Sequence, residues 1–192
     1  MAVSGHTLTL EEFLALPEEK PALEYTDGRI QAKMSPNAWH GRLEMSLGIR
    51  LEVGSTGPDP LIAFSETRVT FAGRSWVPDV VAYRTSRASI GVGGEIPDDL
   101  TVPPDVAIEV TSPGQSIEAQ DDRCRWLASN GVTAALRVHP RTRVVRVFRA
   151  DNESGELGGS DVIDLEDIAP GLRFAVDELF SGLRHPTPRQ DA

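Results

Sequence analysis

The chain has 192 residues, with 29 Asp and Glu against 19 Lys and Arg, for a formal net charge of −10 with histidines neutral. That length suits one domain, and an apolar fraction of 40% suits a packed core. The acidic balance argues against a protein held to DNA or membrane by bulk charge, though not against a local basic groove. A single Cys excludes a disulfide framework and a thiolate zinc cluster. With no apolar run of spanning length and no leader-like opening, a cytoplasmic protein with no membrane partner is expected. Only Lys20 and Lys33 are lysines; the other basic residues are Arg.

In chain order, Thr9-Leu10-Glu11-Glu12 forms a capping-box signature that opens a short helix ended by Pro17. Asp27-Gly28 predicts a two-residue hairpin turn within Leu23 to Lys33. Ser35-Pro36 predicts the start of a second helix, with Leu43, Leu47 and Leu51 as its buried stripe up to Gly54. Strands are expected over Leu61 to Phe71 and Trp76 to Tyr83, then an exposed loop from Thr85 to Pro104 and a buried strand over Val106 to Thr111. A third helix runs from its N-cap Ser116 to Asn130, with Gly131 beyond it. Thr133 to Val138 and Arg143 to Arg149 read as a strand pair, and Asp151 to Ser160 as a loop. A strand over Val162 to Leu165, a short helix over Val176 to Leu183 and a disordered tail over 184–192 complete the chain. The expected class is α/β with a mixed α+β sheet flanked by helices, in one domain over 1–183.

Strand periodicity selects the chemical candidates. In Val106 to Thr111 the apolar face is Val106, Ile108 and Val110, which leaves Glu109 on the other face, costly to bury without a partner. Asp79 follows Pro78 at a strand start and points opposite to Val80 and Ala82. If the two strands are neighbours, Asp79 and Glu109 converge, and two such carboxylates call for a cation such as Mg²⁺. A two-residue turn at Asp27-Gly28 sets Glu24 opposite Gln31, with Lys33 on the same face.

Five segments, in order, carry a resemblance: Leu10-Glu11-Glu12-Phe13-Leu14-Ala15-Leu16-Pro17, then Leu23-Glu24-Tyr25-Thr26-Asp27-Gly28, then Met34-Ser35-Pro36 with His40. Val77-Pro78-Asp79 and Ile108-Glu109-Val110-Thr111-Ser112-Pro113 follow. Together they resemble the Uma-two family of restriction-type endonucleases in the PD-(D/E)XK nuclease superfamily, from about Thr9 to Leu183. The resemblance implies a restriction-endonuclease-like core and a metal-dependent endonuclease acting on DNA. It implies that Asp79 and Glu109 bind Mg²⁺ or Mn²⁺ beside a basic group, with Glu24 as a further ligand or a water-orienting base. The superfamily's lysine falls at Thr111, and the family's helical lysine at Arg123; Arg keeps the charge but cannot take a proton. Lys33 is the candidate to replace that lysine. A homodimer is expected, since two sites related by a twofold axis cut a duplex most simply.

Plainer alternatives stand beside these readings. Glu109 could be a salt-bridged structural acid, Glu24 a solvent-side hairpin residue, and Arg123 a helix charge paired with Asp122 or Glu118. His40 reads as a hydrogen-bonded or surface histidine near the site, Cys124 as a core residue, and the three Trp as core or rim. Gly91-Val92-Gly93-Gly94 is a weak phosphate-loop signal. Arg137 to Arg149 forms a candidate phosphate-contacting strip. The second function kept open is a catalytically degenerate nuclease-fold protein that binds nucleic acid or a protein partner.

Overall fold

A computed structural model of the protein describes residues 8–34, 37–88, 90 and 93–183. Helix α1 (Leu10–Leu14) opens on the expected capping box, with Thr9 and Glu12 satisfying each other's backbone N–H. Strands β1 (Leu23–Thr26) and β2 (Arg29–Ala32) form the expected hairpin, with Glu24 opposite Gln31. Asp27 and Gly28 have φ of 50° and 83°, as a two-residue turn with left-handed central residues demands.

Helix α2 (Ala38–Gly54) starts later than Ser35-Pro36 predicts, because the Asn37 side chain accepts from the N–H groups of Trp39 and His40 and caps the first turn. Ser35 and Pro36 themselves lie outside the described residues, as do Gly91, Val92 and the tail expected over 184–192. Leu43, Leu47 and Leu51 are buried as the stripe requires.

The two long strands expected next are each divided. β3 (Leu61–Ser65) and β4 (Val69–Phe71) are separated at Glu66, a non-glycine residue at φ 50°. β5 (Arg74–Trp76) and β6 (Val80–Arg84) are separated at Val77-Pro78-Asp79, where Pro78 has no N–H to give a ladder. A tight Ala72-Gly73 turn pairs β4 with β5. Among its described residues the Thr85–Pro104 segment forms no named helix or strand, yet it is not wholly exposed. Ala88 and Leu100 are buried, and Leu100 O accepts from Thr70 N.

β7 (Val106–Val110), α3 (Ile117–Ser129) and β8 (Ala134–His139) form a strand-helix-strand unit whose strands run parallel. Ser116 caps α3 and Gly131 follows it at φ 103°. β9 (Val144–Phe148) returns antiparallel to β8, and β10 (Leu157–Gly158) adds a short pairing inside the expected loop. β11 (Val162–Asp164) pairs with β12 (Arg173–Ala175), a strand the sequence pattern does not announce, before α4 (Val176–Ser181).

The central sheet has the order β10-β9-β8-β7-β6-β3 and is mixed, as expected; β2-β1-β5-β4 and β11-β12 form two smaller sheets. Both faces of β6 and β7 are buried. Val80, Ala82, Val106 and Ile108 pack with the α2 leucines, whereas Val81, Tyr83 and Ala107 pack with Cys124, Leu127 and Trp76. Asp79 just before β6 and Glu109 near the end of β7 lie at one end of these doubly covered strands, both buried.

Candidate active site

Register sets the centre. Val80 pairs with Ile108 across the antiparallel β6–β7 ladder, so Asp79, one residue earlier, arrives beside Glu109 and Val110. Asp79 Oδ2 accepts from Val110 N at 2.6 Å, which fixes the carboxylate against the strand end. The hairpin brings Glu24 in from the smaller sheet, where its Oε1 accepts from Val77 N at 2.8 Å. Helix α3 supplies Arg123, and the segment after β2 supplies Lys33.

All five residues expected at the site, Glu24, Lys33, Asp79, Glu109 and Arg123, line one cavity with His40. Two subclusters divide it. Arg123 forks onto Glu24 through Nη1 and Nη2 at 2.7 and 2.8 Å, and its Nε donates to Glu109 Oε1 at 2.7 Å. Its guanidinium also lies over the Trp76 ring, 4.5 Å from the centroid. Arg123 is therefore not a solvated helix charge; Arg125 makes the pair with Asp122. In the second subcluster Lys33 Nζ stands 2.7 Å from Asp79 Oδ1 and 2.9 Å from Glu66 Oε2. Lys33 thus shares the cavity with Glu24, but its ammonium is given to Asp79.

Thr111, at the superfamily lysine's place, is buried and donates to Gln120 Oε1 at 2.6 Å. The basic strip needs correction. Arg137 is only 1% exposed and pairs with Asp121, which Arg146 also engages, while Arg149 forks onto Asp167. Alternation along β8 turns Arg137 inward against α3, so it cannot contact phosphate.

Sequence reasoning missed Glu44 and Glu66 and undervalued His40. Among the described residues, His40, Glu44, Glu66 and Asp79 bring ligand atoms within 4.8 Å of one another. His40 Nε2 lies 2.9 Å from Asp79 Oδ2 and 3.0 Å from Glu44 Oε1. Yet Nε2 and Oε1 are buried with no partner in hydrogen-bonding geometry. An imidazole nitrogen and carboxylate oxygens left in this state fit a divalent cation. Glu44 carried a usable signal, since it sits four residues after His40 and next to Leu43 on the buried side of α2. Glu66 carried none.

The electrostatics follow from burial and partners. Burial pushes Glu109 up against the pull of Arg123, and the neighbouring Asp79 and Glu24 add to the rise, to about 7. Burial acts the same way on Glu24, but the Arg123 hydrogen bond and charge outweigh it and hold Glu24 below the usual carboxylate range. Asp79 is likewise held low, because His40 and Lys33 outweigh its burial. For Lys33, burial is overcome by Asp79 and Glu109, and its pKa is raised. Burial also opposes protonation of His40, but the Asp79 and Glu44 carboxylates lift it to about 9.

Compared with known proteins, residues 10–177 match the family model Uma2, described as a putative restriction endonuclease. No curated protein matches the chain. Among solved structures, a putative nuclease belonging to DUF820 from Anabaena variabilis is 29% identical, with a TM-score of 0.85 over 92% of this chain and 99% of that one. The restriction-endonuclease-like core expected from the sequence agrees with that likeness.

Proposed function

Because this chain belongs to the Uma2 family of putative restriction endonucleases, we propose that it hydrolyses phosphodiester bonds in DNA as an endonuclease dependent on Mg²⁺ or Mn²⁺. The observation that carries this reading is the convergence of Glu24, Lys33, Asp79, Glu109 and Arg123 on one cavity. Asp79, Glu109 and Glu24 are the residues that would hold the cation, since carboxylate oxygens suit such ions. The partnerless His40 Nε2 and Glu44 Oε1 beside Asp79 argue that one belongs there. When bound, the cation acidifies a water and stabilises charge on the scissile phosphate.

The protein's own groups divide the remaining work. Val110 N holds Asp79 in place. Lys33, kept protonated by Asp79 and Glu109, presents a fixed positive charge to an incoming phosphate. Arg123 stays protonated as well, so its role is to fix Glu24 and Glu109 in one geometry. A neighbouring cavity, lined by the exposed Trp39 and Arg141 and sharing Gln115 with the first, gives a strand of substrate a path along the site. The assembly proposed is a homodimer, with one site per strand of the duplex. No described helix is long and apolar enough to cross a membrane. The free, buried Cys124 accords with a cytoplasmic setting.

The test is incubation with supercoiled and linear DNA in Mg²⁺ or Mn²⁺. Nicking and linearisation that disappear in Glu109→Ala are expected. No cleavage above that variant, over a range of ions and salt, would contradict the reading.

One observation favours a second reading, a catalytically degenerate nuclease-fold protein that binds nucleic acid or a protein. Arg123 engages both oxygens of Glu24 and one of Glu109, the positions a cation would use. Calorimetric titration with Mg²⁺ and Mn²⁺ separates the two. Binding that depends on the carboxylates supports the enzyme, and its absence supports the binding module.

A further inference from the structure

We propose that His40, Glu44 and Asp79, with Glu66 at the rim, form a nitrogen-containing cation site that takes Mn²⁺ in preference to Mg²⁺. This deepens the nuclease reading and rests on it for the cation's role, though not for the cation's seat.

The first support is where the residues lie. His40 and Glu44 continue, toward the helix start, the inward side of α2 that carries Leu43, Leu47 and Leu51, and they are only 4% and 7% exposed. Burying two such groups is costly unless something satisfies them. Protein atoms meet that need only through close charge contacts that lack hydrogen-bonding geometry. His40 Nε2 and Glu44 Oε1 have no hydrogen-bond partner although both face Asp79 or each other at about contact distance.

Orientation is the second support. His40 Nδ1 lies 3.0 Å from Ser112 Oγ, an anchor that turns Nε2 toward the carboxylates. Such an outer partner is what a metal-binding imidazole needs to hold its ring and tautomer. Third, Glu66 adopts φ 50° although it is not glycine, and its N–H donates to Asp79 O at 3.1 Å. That left-handed turn costs free energy, and it delivers the Glu66 carboxylate to the cluster.

Lys33 engages one oxygen each of Asp79 and Glu66, so the free donors of this half are His40 Nε2 and Glu44 Oε1, and the other half of the cavity offers fewer. Both oxygens of Glu24 and one of Glu109 are already taken by Arg123. The available donors therefore include an imidazole, and imidazole favours first-row transition ions over Mg²⁺, which prefers oxygen and water.

The test uses the full chain freed of metal with EDTA, titrated calorimetrically with MnCl₂ and, in parallel, MgCl₂. Pulsed electron paramagnetic resonance of the Mn²⁺-loaded protein reads ¹⁴N coupling from a coordinated imidazole, and it needs no variant. The expected results are tighter binding of Mn²⁺ than Mg²⁺, with ¹⁴N coupling present. His40→Gln should weaken Mn²⁺ binding by about 10- to 100-fold, with a smaller effect on Mg²⁺. Mn²⁺ bound without ¹⁴N coupling, or bound equally by His40→Gln, would overturn the site, and so would Mg²⁺ bound as tightly as Mn²⁺. Plasmid cleavage by the same preparation is read separately. Mn²⁺ held through His40 without cleavage supports the site and removes the nuclease reading. Cleavage without nitrogen coupling retains the nuclease and overturns the site.

Discussion

Arg123 joins three elements by charge, from α3 to Glu24 on β1 and Glu109 on β7, with its side chain only 15% exposed. Removing it takes from two buried carboxylates the cation that touches them. Arg123→Ala should therefore lose about 3–5 kcal/mol of stability in urea unfolding, and Arg123→Lys less. A loss in Arg123→Ala no larger than a surface substitution causes would show that the fork is not structural. His40 gains carboxylate neighbours on folding, so its pKa rises from 6.5 to about 9. Its protonation stabilises the metal-free fold in full below pH 6.5, and that contribution is lost as pH rises toward 9. In EDTA, the gap in urea midpoint between the wild type and His40→Gln should narrow across that window; a constant gap would contradict the assignment. Glu24, Asp79 and Glu109 were legible because strand phase and turn type determine which way a side chain points. Arg123 was visible only by resemblance, and its fork could not be read from spacing, since it depends on how α3 lies across two sheets. Glu66 reaches the site through a strained backbone that no local pattern announces.

Elements with strong local chemistry were legible: the Thr9 capping box, the Asp27-Gly28 hairpin, the leucine stripe of α2, and α3 between Ser116 and Gly131. The divided strands were not. Apolar content runs through Leu61 to Phe71 and Trp76 to Tyr83, whereas the breaks at Glu66 and Pro78 exist because two sheets part there, which is a tertiary decision. Ala72-Gly73 is also a poorer turn signal than Asp27-Gly28, because Ala adopts positive φ reluctantly. Helix α2 presses Leu47, 1% exposed, onto the central sheet and thereby holds His40 and Glu44 in place. Leu47→Ala should cost about 2–5 kcal/mol by guanidinium unfolding, as a cavity in a close-packed core does. A cost near zero would mean that α2 is not docked as described.

For the whole molecule, a net charge of −10 still opposes a long nucleic-acid footprint. The basic strip offsets it only in part, because Arg137 and Arg146 are committed to Asp121 and Arg149 to Asp167, which leaves Arg141 and Arg143. DNA binding should accordingly be weak and fall with rising salt along a shallow logarithmic slope, few phosphates being neutralised. Arg137→Ala should leave that slope unchanged while lowering stability, by filter binding and thermal melting respectively; a reduced slope would return Arg137 to the DNA interface. Lys33 adds a positive charge inside the cavity itself, beside the acids that would seat the cation, and Arg141 lines the neighbouring cavity. Anomalous scattering from crystals soaked in MnCl₂ tests that arrangement most directly. The account predicts a peak within about 2.0–2.6 Å of an Asp79 oxygen, inside the cavity lined by Glu24, His40 and Glu109. A cavity without a peak at Asp79, with Mn²⁺ found only at surface acids, would contradict it.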